Sequence, residues 1–111
     1  MMNQSNAKIA RTWHGAVPEE HADAYYNYLL QTGLADYKSI EGNCGVYVLR
    51  RSEKQKGEVH FLLITLWDSY QSIKEFADEP INKARYYPKD KEYLLTLNPF
   101  VKHYEFLQIA K

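Results

Sequence analysis

Apolar residues fill both faces of one short segment, His60–Trp67 ("HFLLITLW"), and this is the clearest pattern along the chain. Successive side chains of a β-strand point to opposite faces of the sheet. The two alternating sets here are Leu62, Ile64 and Leu66 on one face, and Phe61, Leu63, Thr65 and Trp67 on the other. The pattern predicts a strand in a sheet whose two faces are both covered.

Three other segments have the β-branched and aromatic content of strands. They are Ile9–Val17, Cys44–Arg51 and Phe100–Ile109. The basic, glycine-containing sequence "RRSEKQKGE" predicts a hairpin loop that joins the second strand to the third, so these two strands pair antiparallel.

Helical spacing predicts one helix on each side of this hairpin. The first begins at Pro18, and Glu19 and Glu20 complement the positive end of its dipole. Its apolar stripe is Ala22, Tyr25, Tyr26, Leu29 and Gly33. We expect this helix to end near Gly33.

The second predicted helix follows Asp68, which suits an N-cap with Gln71 as its capping-box partner. The residues of its buried stripe are Ile73, Phe76 and Ala77. The helix ends before Pro80, and a short further helix is predicted over Ile81–Tyr87, followed by less regular chain.

The order βαββαβ predicts an α+β, ferredoxin-like fold, with two helices on one face of a four-stranded antiparallel sheet. The other face is left bare, although the third strand is apolar there as well. Each exposed Leu, Ile or Phe forgoes roughly 1.5–3 kcal/mol of burial. A second copy packed sheet against sheet would cover this face. The alternative is a monomer in which the segment Ile81–Leu97 folds over it.

Composition fits one compact domain. The chain has 111 residues, 45% hydrophobic and 25% charged, and we expect a disordered tail over 1–7 and a single domain over 8–111. Fourteen basic and fourteen acidic residues give no net charge, which argues against nucleic acid and anionic membranes as partners. Cys44 is the single cysteine, and no apolar run approaches the ~18 residues of a membrane span. These features favour a cytoplasmic protein.

Aromatic residues are abundant: ten Tyr, four Phe and two Trp. Such usage suits a rigid core, an interface or a cavity for a planar ligand.

Three motifs make the chain resemble the antibiotic biosynthesis monooxygenase family of the dimeric α/β-barrel superfamily. They are "RTWHG", "EGNCGVYVLRR" and "LLITLWDS", and the resemblance covers roughly Lys8 to Leu107. It implies a homodimer whose sheets face each other and a pocket between sheet and helices in each protomer. For some members it also implies oxidation of a phenolic or quinol-like compound by O2 without a metal, flavin or other cofactor.

The resemblance also implies site residues. Trp67 occupies the place of a tryptophan that lines the family's cavity, and Arg85 that of an arginine that holds a phenolate or superoxide. A core anchor for Trp67 and a solvated surface position for Arg85 are the alternatives. Around them, we expect aromatic side chains to contact the substrate: Tyr70, Tyr86, Tyr26 and Phe76.

The chain departs from the family at three places. Leu63 stands where the phenol-oxidising members have an asparagine. Haem-cleaving members use an asparagine on strand one and a histidine on helix two, but this chain has Ala10 and Arg11, and Arg85 and Tyr86, at those places. Haem cleavage by that ligand set is therefore disfavoured.

Three of the four histidines lie on neighbouring predicted strands: His14, His60 and His103. If the three imidazoles converged at one end of the sheet, they would form a metal site. The plainer interpretation is that they are separate core or interface histidines, because strand register decides the face of each side chain. We predict no metal. His14 is also a candidate general base, because an ordinary imidazole titrates near neutral pH. Cys44 has no basic neighbour in sequence, which favours a buried packing residue over a nucleophile.

Two functions remain in view. The first is a cofactor-independent monooxygenase acting on an aromatic or quinol-like small molecule. The second is a non-catalytic, small-molecule-binding or stress-related dimer of the same fold.

Overall fold

A computed structural model describes residues 6–110 of the chain. The strands are β1 (Ile9–Pro18), β2 (Asn43–Glu53), β3 (Glu58–Trp67) and β4 (Lys102–Glu105). The helices are α1 (Ala22–Gln31), α2 (Gly33–Ser39), α3 (Tyr70–Ala77) and α4 (Asp90–Tyr93), with short 3-10 turns at Glu19–His21 and Lys54–Lys56. Among these helices, none is long and apolar enough to cross a membrane.

The four strands form one antiparallel sheet in the order β2-β3-β1-β4. In β3, which pairs on both edges, Ile64 lies opposite Thr12 of β1 and Tyr47 of β2. This order, with helices in both crossovers, confirms the predicted α+β, ferredoxin-like fold.

The helices cover one face of the sheet, which we call the helix face. Alternate residues of the two central strands point into the main core there. They are Ile9, Trp13 and Val17 of β1 and Val59, Phe61, Leu63 and Trp67 of β3. From α1–α3 the buried partners are Ala22, Tyr25, Leu29, Leu34, Tyr37, Ile73 and Phe76.

The opposite face, which we call the open face, is covered only at one end within residues 6–110. There Ala7, Cys44 and Leu66 form a small buried cluster, and Phe106 packs against it. Ala7, the last residue of the predicted tail, is buried in this cluster. Residues 1–5 of that tail lie outside the described chain. Cys44 is buried, in line with a packing role.

Apolar side chains remain accessible over the rest of the open face. Leu49 is 47% exposed and Tyr104 is 52% exposed, while Leu62 and Ile64 between them are partly buried. The sheet of one chain thus has one face packed under helices and one face, partly apolar, toward solvent.

The first helical region differs from the prediction. The chain bends at Thr32, whose hydroxyl donates to the Tyr28 carbonyl oxygen at 2.8 Å, and a second helix starts directly at Gly33. This helix, α2, lies between the predicted end of the first helix, near Gly33, and the predicted second strand, where no element was predicted. Its burial of Leu34 and Tyr37, three residues apart, explains why a helix is stable there.

The predicted helix over Ile81–Tyr87 is wrong, because its backbone groups bind elsewhere. The Arg11 guanidinium donates to the carbonyl oxygens of Ile81 and Lys83, and the Val101 N–H donates to that of Asn82. The Ala84 N–H donates to the carbonyl of Pro99 at 2.8 Å. A helix would have required these groups for its own i to i−4 bonds.

The monomeric alternative for covering the open face is also wrong. Side chains of the segment Ile81–Leu97 pack into the main core on the helix face: Ile81, Ala84, Tyr86, Tyr93 and Leu94. The Leu95 N–H donates to the Ala16 carbonyl oxygen at 2.9 Å, which places this part of the segment beside β1. The segment therefore closes the helix face.

Helix α3 has a different cap from the predicted one. Ser69, in extended conformation, is the N-cap, and its hydroxyl accepts from the Ser72 N–H at 3.1 Å. Asp68 instead accepts from the Ser72 hydroxyl at 2.6 Å. The cap thus falls one residue later than the sequence pattern predicted.

We expect Ser69→Ala to lower the free energy of unfolding by about 0.5–2 kcal/mol, because the first turn of α3 loses its side-chain acceptor. Urea denaturation followed by circular dichroism measures this loss. Gln71→Ala, an exposed change in the same turn, is the control. An equal loss in both variants would contradict the assignment of Ser69 as the cap.

Candidate functional site

A cavity lies between the helix face of the sheet, helices α1–α3 and the segment 81–93. The side chains that line it are Arg11, Trp13, Tyr25, Leu29, Gly33, Tyr37, Leu63, Phe76, Arg85, Tyr86, Tyr87 and Asp90. Its volume is about 20 Å³, which holds about one water molecule. The cavity is aromatic, carries both signs of charge and is closed to larger molecules in this conformation.

Arg11 is the buried cation of the cavity. It lies on β1 in the same inward-facing phase as Ile9 and Trp13, so the strand carries its side chain into the core, where it is 2% exposed. One terminal nitrogen, Nη2, donates to the carbonyl oxygens of Ile81 at 3.4 Å and Lys83 at 3.1 Å. Burial lowers the pKa of Arg11.

Two aromatic residues adjoin this guanidinium. The Arg11 Cζ lies 5.5 Å from the centre of the Phe76 ring, a cation–π distance. The Tyr37 phenol lies beside the guanidinium and partly opposes the effect of burial on the Arg11 pKa. For Tyr37 itself, burial raises the pKa, and the neighbouring Arg11 acts in the opposite direction. Phe76 and Tyr37 therefore both stabilise the charged form of Arg11.

Arg85 forms a latch at the mouth of the cavity together with Asp36 and Tyr87. The Arg85 guanidinium lies 3.2 Å from the Asp36 carboxylate and donates to the Phe76 carbonyl oxygen at 2.8 Å. The Tyr87 hydroxyl donates to the same carboxylate at 2.5 Å. These contacts of the Arg85 latch tie the segment 81–93 to α2 and to the end of α3.

Asp90 is the buried carboxylate of the cavity. Its oxygens accept from the Tyr25 hydroxyl at 3.2 Å and from the Tyr87 N–H at 2.6 Å. Burial raises the pKa of Asp90, and these two hydrogen bonds act against the increase. For Tyr25, burial and then the nearby Asp90 carboxylate raise the pKa of the phenol. Asp90 is therefore a better proton acceptor than an exposed aspartate.

Trp13 and Tyr86 form one wall. The Trp13 Nε1–H donates to the Tyr86 hydroxyl at 3.3 Å, and that hydroxyl donates to the Asn98 carbonyl oxygen at 2.6 Å. Gly15 makes room for the indole, since a Cβ at Gly15 would lie 2.4 Å from the Trp13 ring. The rigid wall thus depends on a residue without a side chain.

Three of the residues predicted for the site line the cavity: Arg85, Tyr86 and Phe76. Trp67 lies behind it, fully buried. Its indole N–H donates to the Thr65 hydroxyl at 2.7 Å, and its ring lies 6.0 Å from that of Tyr37 and 6.1 Å from that of Phe76. Trp67 therefore supports two walls of the cavity from outside.

The other predicted site residues lie elsewhere. Tyr26 lines a shallow surface groove with Leu49 and Arg50, and the Tyr70 ring packs edge-on against His103 at 6.0 Å. His14 is on the open face, opposite the cavity.

The three histidines of the sheet do not converge. On the open face, His14 Nε2 lies 2.7 Å from His60 Nδ1. Burial lowers the pKa of His14, and the neighbouring His60 and Arg51 add to this effect. His103 pairs in register with Arg11 and points to the helix face. Within residues 6–110, no three His, Cys, Asp or Glu side chains are grouped so as to hold a metal ion.

Sequence reasoning missed three polar groups of the cavity: Arg11, Tyr37 and Asp90. The signal for Arg11 was present, because a charged residue occupied an inward position of an alternating strand. Tyr37 lies on α2, a helix that was not predicted. Asp90 follows an irregular, proline-containing stretch, where no periodicity indicates which side chains are buried.

Comparison with solved structures finds a similar fold. A crystal structure of a protein from Bacillus cereus, provisionally described as an antibiotic biosynthesis monooxygenase, superposes with a TM-score of 0.59. The two chains are 14% identical over 95% of this chain and 97% of the other. At this identity the likeness establishes the fold alone. No protein-family model matches the chain, and no curated protein is similar to it.

The pH dependence of the free energy of unfolding, compared between the wild type and Asp90→Asn, tests whether the Asp90 pKa is raised. Because the Asp90 pKa is raised in the folded chain, the stability that its proton supplies is present below the ordinary pKa of about 4 and is lost as pH rises through the folded value. We therefore expect the wild type to lose free energy of unfolding relative to Asp90→Asn as pH rises from about 4 to about 7.

Chemical denaturation at a series of pH values measures this difference. Asp23→Asn, which removes an exposed carboxylate, is the control. A difference between the wild type and Asp90→Asn that stays constant across the series would contradict the burial of an ionised Asp90.

Proposed function

We propose that the protein is a cofactor-independent monooxygenase of the antibiotic biosynthesis monooxygenase family, acting on a phenolic or quinol-like small molecule. The observation that carries this proposal is the cavity itself. It is aromatic, is small and is lined by two guanidinium groups and one carboxylate. The fold shared with the Bacillus cereus protein supports it.

The chemistry needs no external reductant. Triplet O2 reacts slowly with closed-shell molecules, but an electron-rich phenolate can donate an electron to it. Combination of the two radicals forms a C–O bond, and loss of water leaves a carbonyl. For a phenol with a free para position, the products are one para-quinone and one water per O2. The protein's part is to deprotonate the phenol, hold the anion and exclude water.

The proposed roles follow from the geometry. Arg85 holds the phenolate oxygen at the mouth of the cavity, where its charge remains partly accessible. Asp90, with its raised pKa, accepts the phenol proton. Tyr86 and Phe76 contact the substrate ring, and Trp67 positions Phe76 and Tyr37 from behind.

Substrate entry requires the Arg85 latch to open. A cavity of about 20 Å³ excludes an aromatic ring, so the segment 81–93 must move away from α2. The Arg85–Asp36 pair is half exposed, and such ion pairs contribute only about 0–1 kcal/mol. The latch is therefore suited to repeated opening.

We expect O2 consumption when the wild type is mixed with one of a panel of quinols and polyphenols. Arg85→Met should reduce kcat/KM by about a hundredfold, because a charge donor to the developing anion is removed. An oxygen electrode measures both rates. The control is Arg50→Met, at a surface arginine of β2 that pairs with Asp23. Equal rates for both variants, or no O2 uptake with any compound, would argue against the oxygenase.

The closed cavity favours a second candidate, a non-catalytic protein that retains a small apolar metabolite. Tight retention of a ligand by the wild type without any O2 consumption would support it. Haem degradation is the weaker alternative, because no histidine is among the residues that line the cavity. A haem titration without a shift of the Soret band would dismiss it.

We propose further that two copies pack through their open faces. This face carries the apolar residues that the helices leave uncovered, with Leu49 and Tyr104 half exposed and Leu62 and Ile64 between them. A second copy is the occupant that covers this patch by symmetry, because the same surface is present on both protomers. Burial of each such side chain contributes roughly 1.5–3 kcal/mol.

Light scattering at micromolar concentration should give twice the chain mass of 13.1 kDa. Leu49→Lys should shift the mass toward that of one chain, since it places a charge in the interface. Leu30→Lys, on the outer side of α1, is the matched control, because the two leucines are 47% and 41% exposed. A wild-type mass of one chain, or dissociation by both variants, would exclude this interface.

A further inference from the structure

The buried cation of the cavity, Arg11, has no ion pair among the described residues. Arg85 is paired with Asp36, and Asp90 receives hydrogen bonds from a phenol and a backbone N–H. Arg11 has no carboxylate within 4.0 Å among residues 6–110, although it is 2% exposed. A buried ion without a counter-ion is costly, so the folded chain holds one cation that an anion would stabilise.

The hydrogen bonds of Arg11 leave a donor for that anion. Nη2 binds both backbone carbonyls, whereas Nε is buried and has no acceptor within the described chain. The cross-strand neighbour, His103 on β4, has a buried Nε2 that likewise lacks a partner there. In residues 6–110, three buried side-chain nitrogen atoms have no hydrogen-bond partner. Two of them, on Arg11 and His103, lie at paired positions of β1 and β4.

We propose that the cavity takes an aromatic acid, whose carboxylate binds the Nε–H of Arg11 and whose ring lies among Trp13, Tyr37 and Phe76. The inference rests on the proposed function in that both place the ligand in this cavity, and it narrows the substrate class to phenols that carry an acidic group. The carboxyl group of such a substrate is ionised at neutral pH, so Arg11 can bind it before the phenol loses its proton.

A monocarboxylate fits this position better than other anions. Arginine presents planar N–H donors that match the plane of a carboxylate. Asp90, which lines the cavity, and Asp36 on the Arg85 latch oppose the second negative charge of a dianion such as phosphate. The aromatic walls supply the apolar contact for the ring.

Equilibrium binding of 4-hydroxybenzoate and of 4-hydroxybenzamide, its neutral analogue of similar shape, tests the inference without turnover. By titration calorimetry at neutral pH, we expect the wild type to bind the acid about tenfold or more tightly than the amide, the effect of one charge-assisted hydrogen bond. Arg11→Gln should abolish this preference. Arg50→Gln, the surface control, should keep it.

A measurement on the wild type covers the case in which Arg11→Gln does not fold. In a 15N-labelled sample, the Nε–Hε resonance of Arg11 should shift on addition of the acid and stay in place with the amide. Equal affinities for the two compounds, binding of neither, or an unmoved Arg11 resonance would overturn the inference. Binding of the acid, together with no O2 uptake from any quinol or polyphenol of the panel, would keep this inference and reject the oxygenase. O2 uptake from that panel, together with no binding preference for the acid, would reject this inference and keep the oxygenase.

Discussion

The charge of Arg11 inside an apolar core is the constraint on which the cavity depends. Water cannot solvate this guanidinium, so the surrounding chain must. The carbonyls of Ile81 and Lys83 accept its hydrogen bonds, and the rings of Phe76 and Tyr37 lie against it. Because those carbonyls face the arginine, the segment after α3 remains extended over the cavity. One charged residue on β1 thus helps to hold the conformation of a distant loop, together with the backbone bonds of Ala84 and Asn82.

The two faces of β3 lie in different environments. On the helix face of β3, Phe61, Leu63 and Trp67 are buried by elements of their own chain. On the open face, the short cluster around Leu66 covers one end, and the remaining apolar surface is larger than the folded chain can shield. The proposed site on one face and the proposed association surface on the other both include residues of this one doubly apolar segment.

The sequence patterns predicted the regular parts of the fold and less of the site. Alternation in β1 and β3 and helical spacing in α3 are local properties, so strand order and helix placement could be inferred. Arg85 was inferred from the family resemblance, whereas Tyr86 and Phe76 were expected as aromatic contacts, and all three line the cavity. The coil over 81–87 was missed because its hydrogen bonds go to residues far along the chain. Burial of Asp90 was missed for the same reason.

The latch of Arg85, Asp36 and Tyr87 has a kinetic consequence. If the segment must separate from α2 before a ring can enter, association cannot be faster than that opening. The observed association rate would then rise with ligand concentration only to a plateau equal to the opening rate of the latch. At that plateau the association rate no longer depends on how often ligand and protein collide. Ligands of quite different size would share that plateau, and escape of a bound molecule would be delayed by the same step.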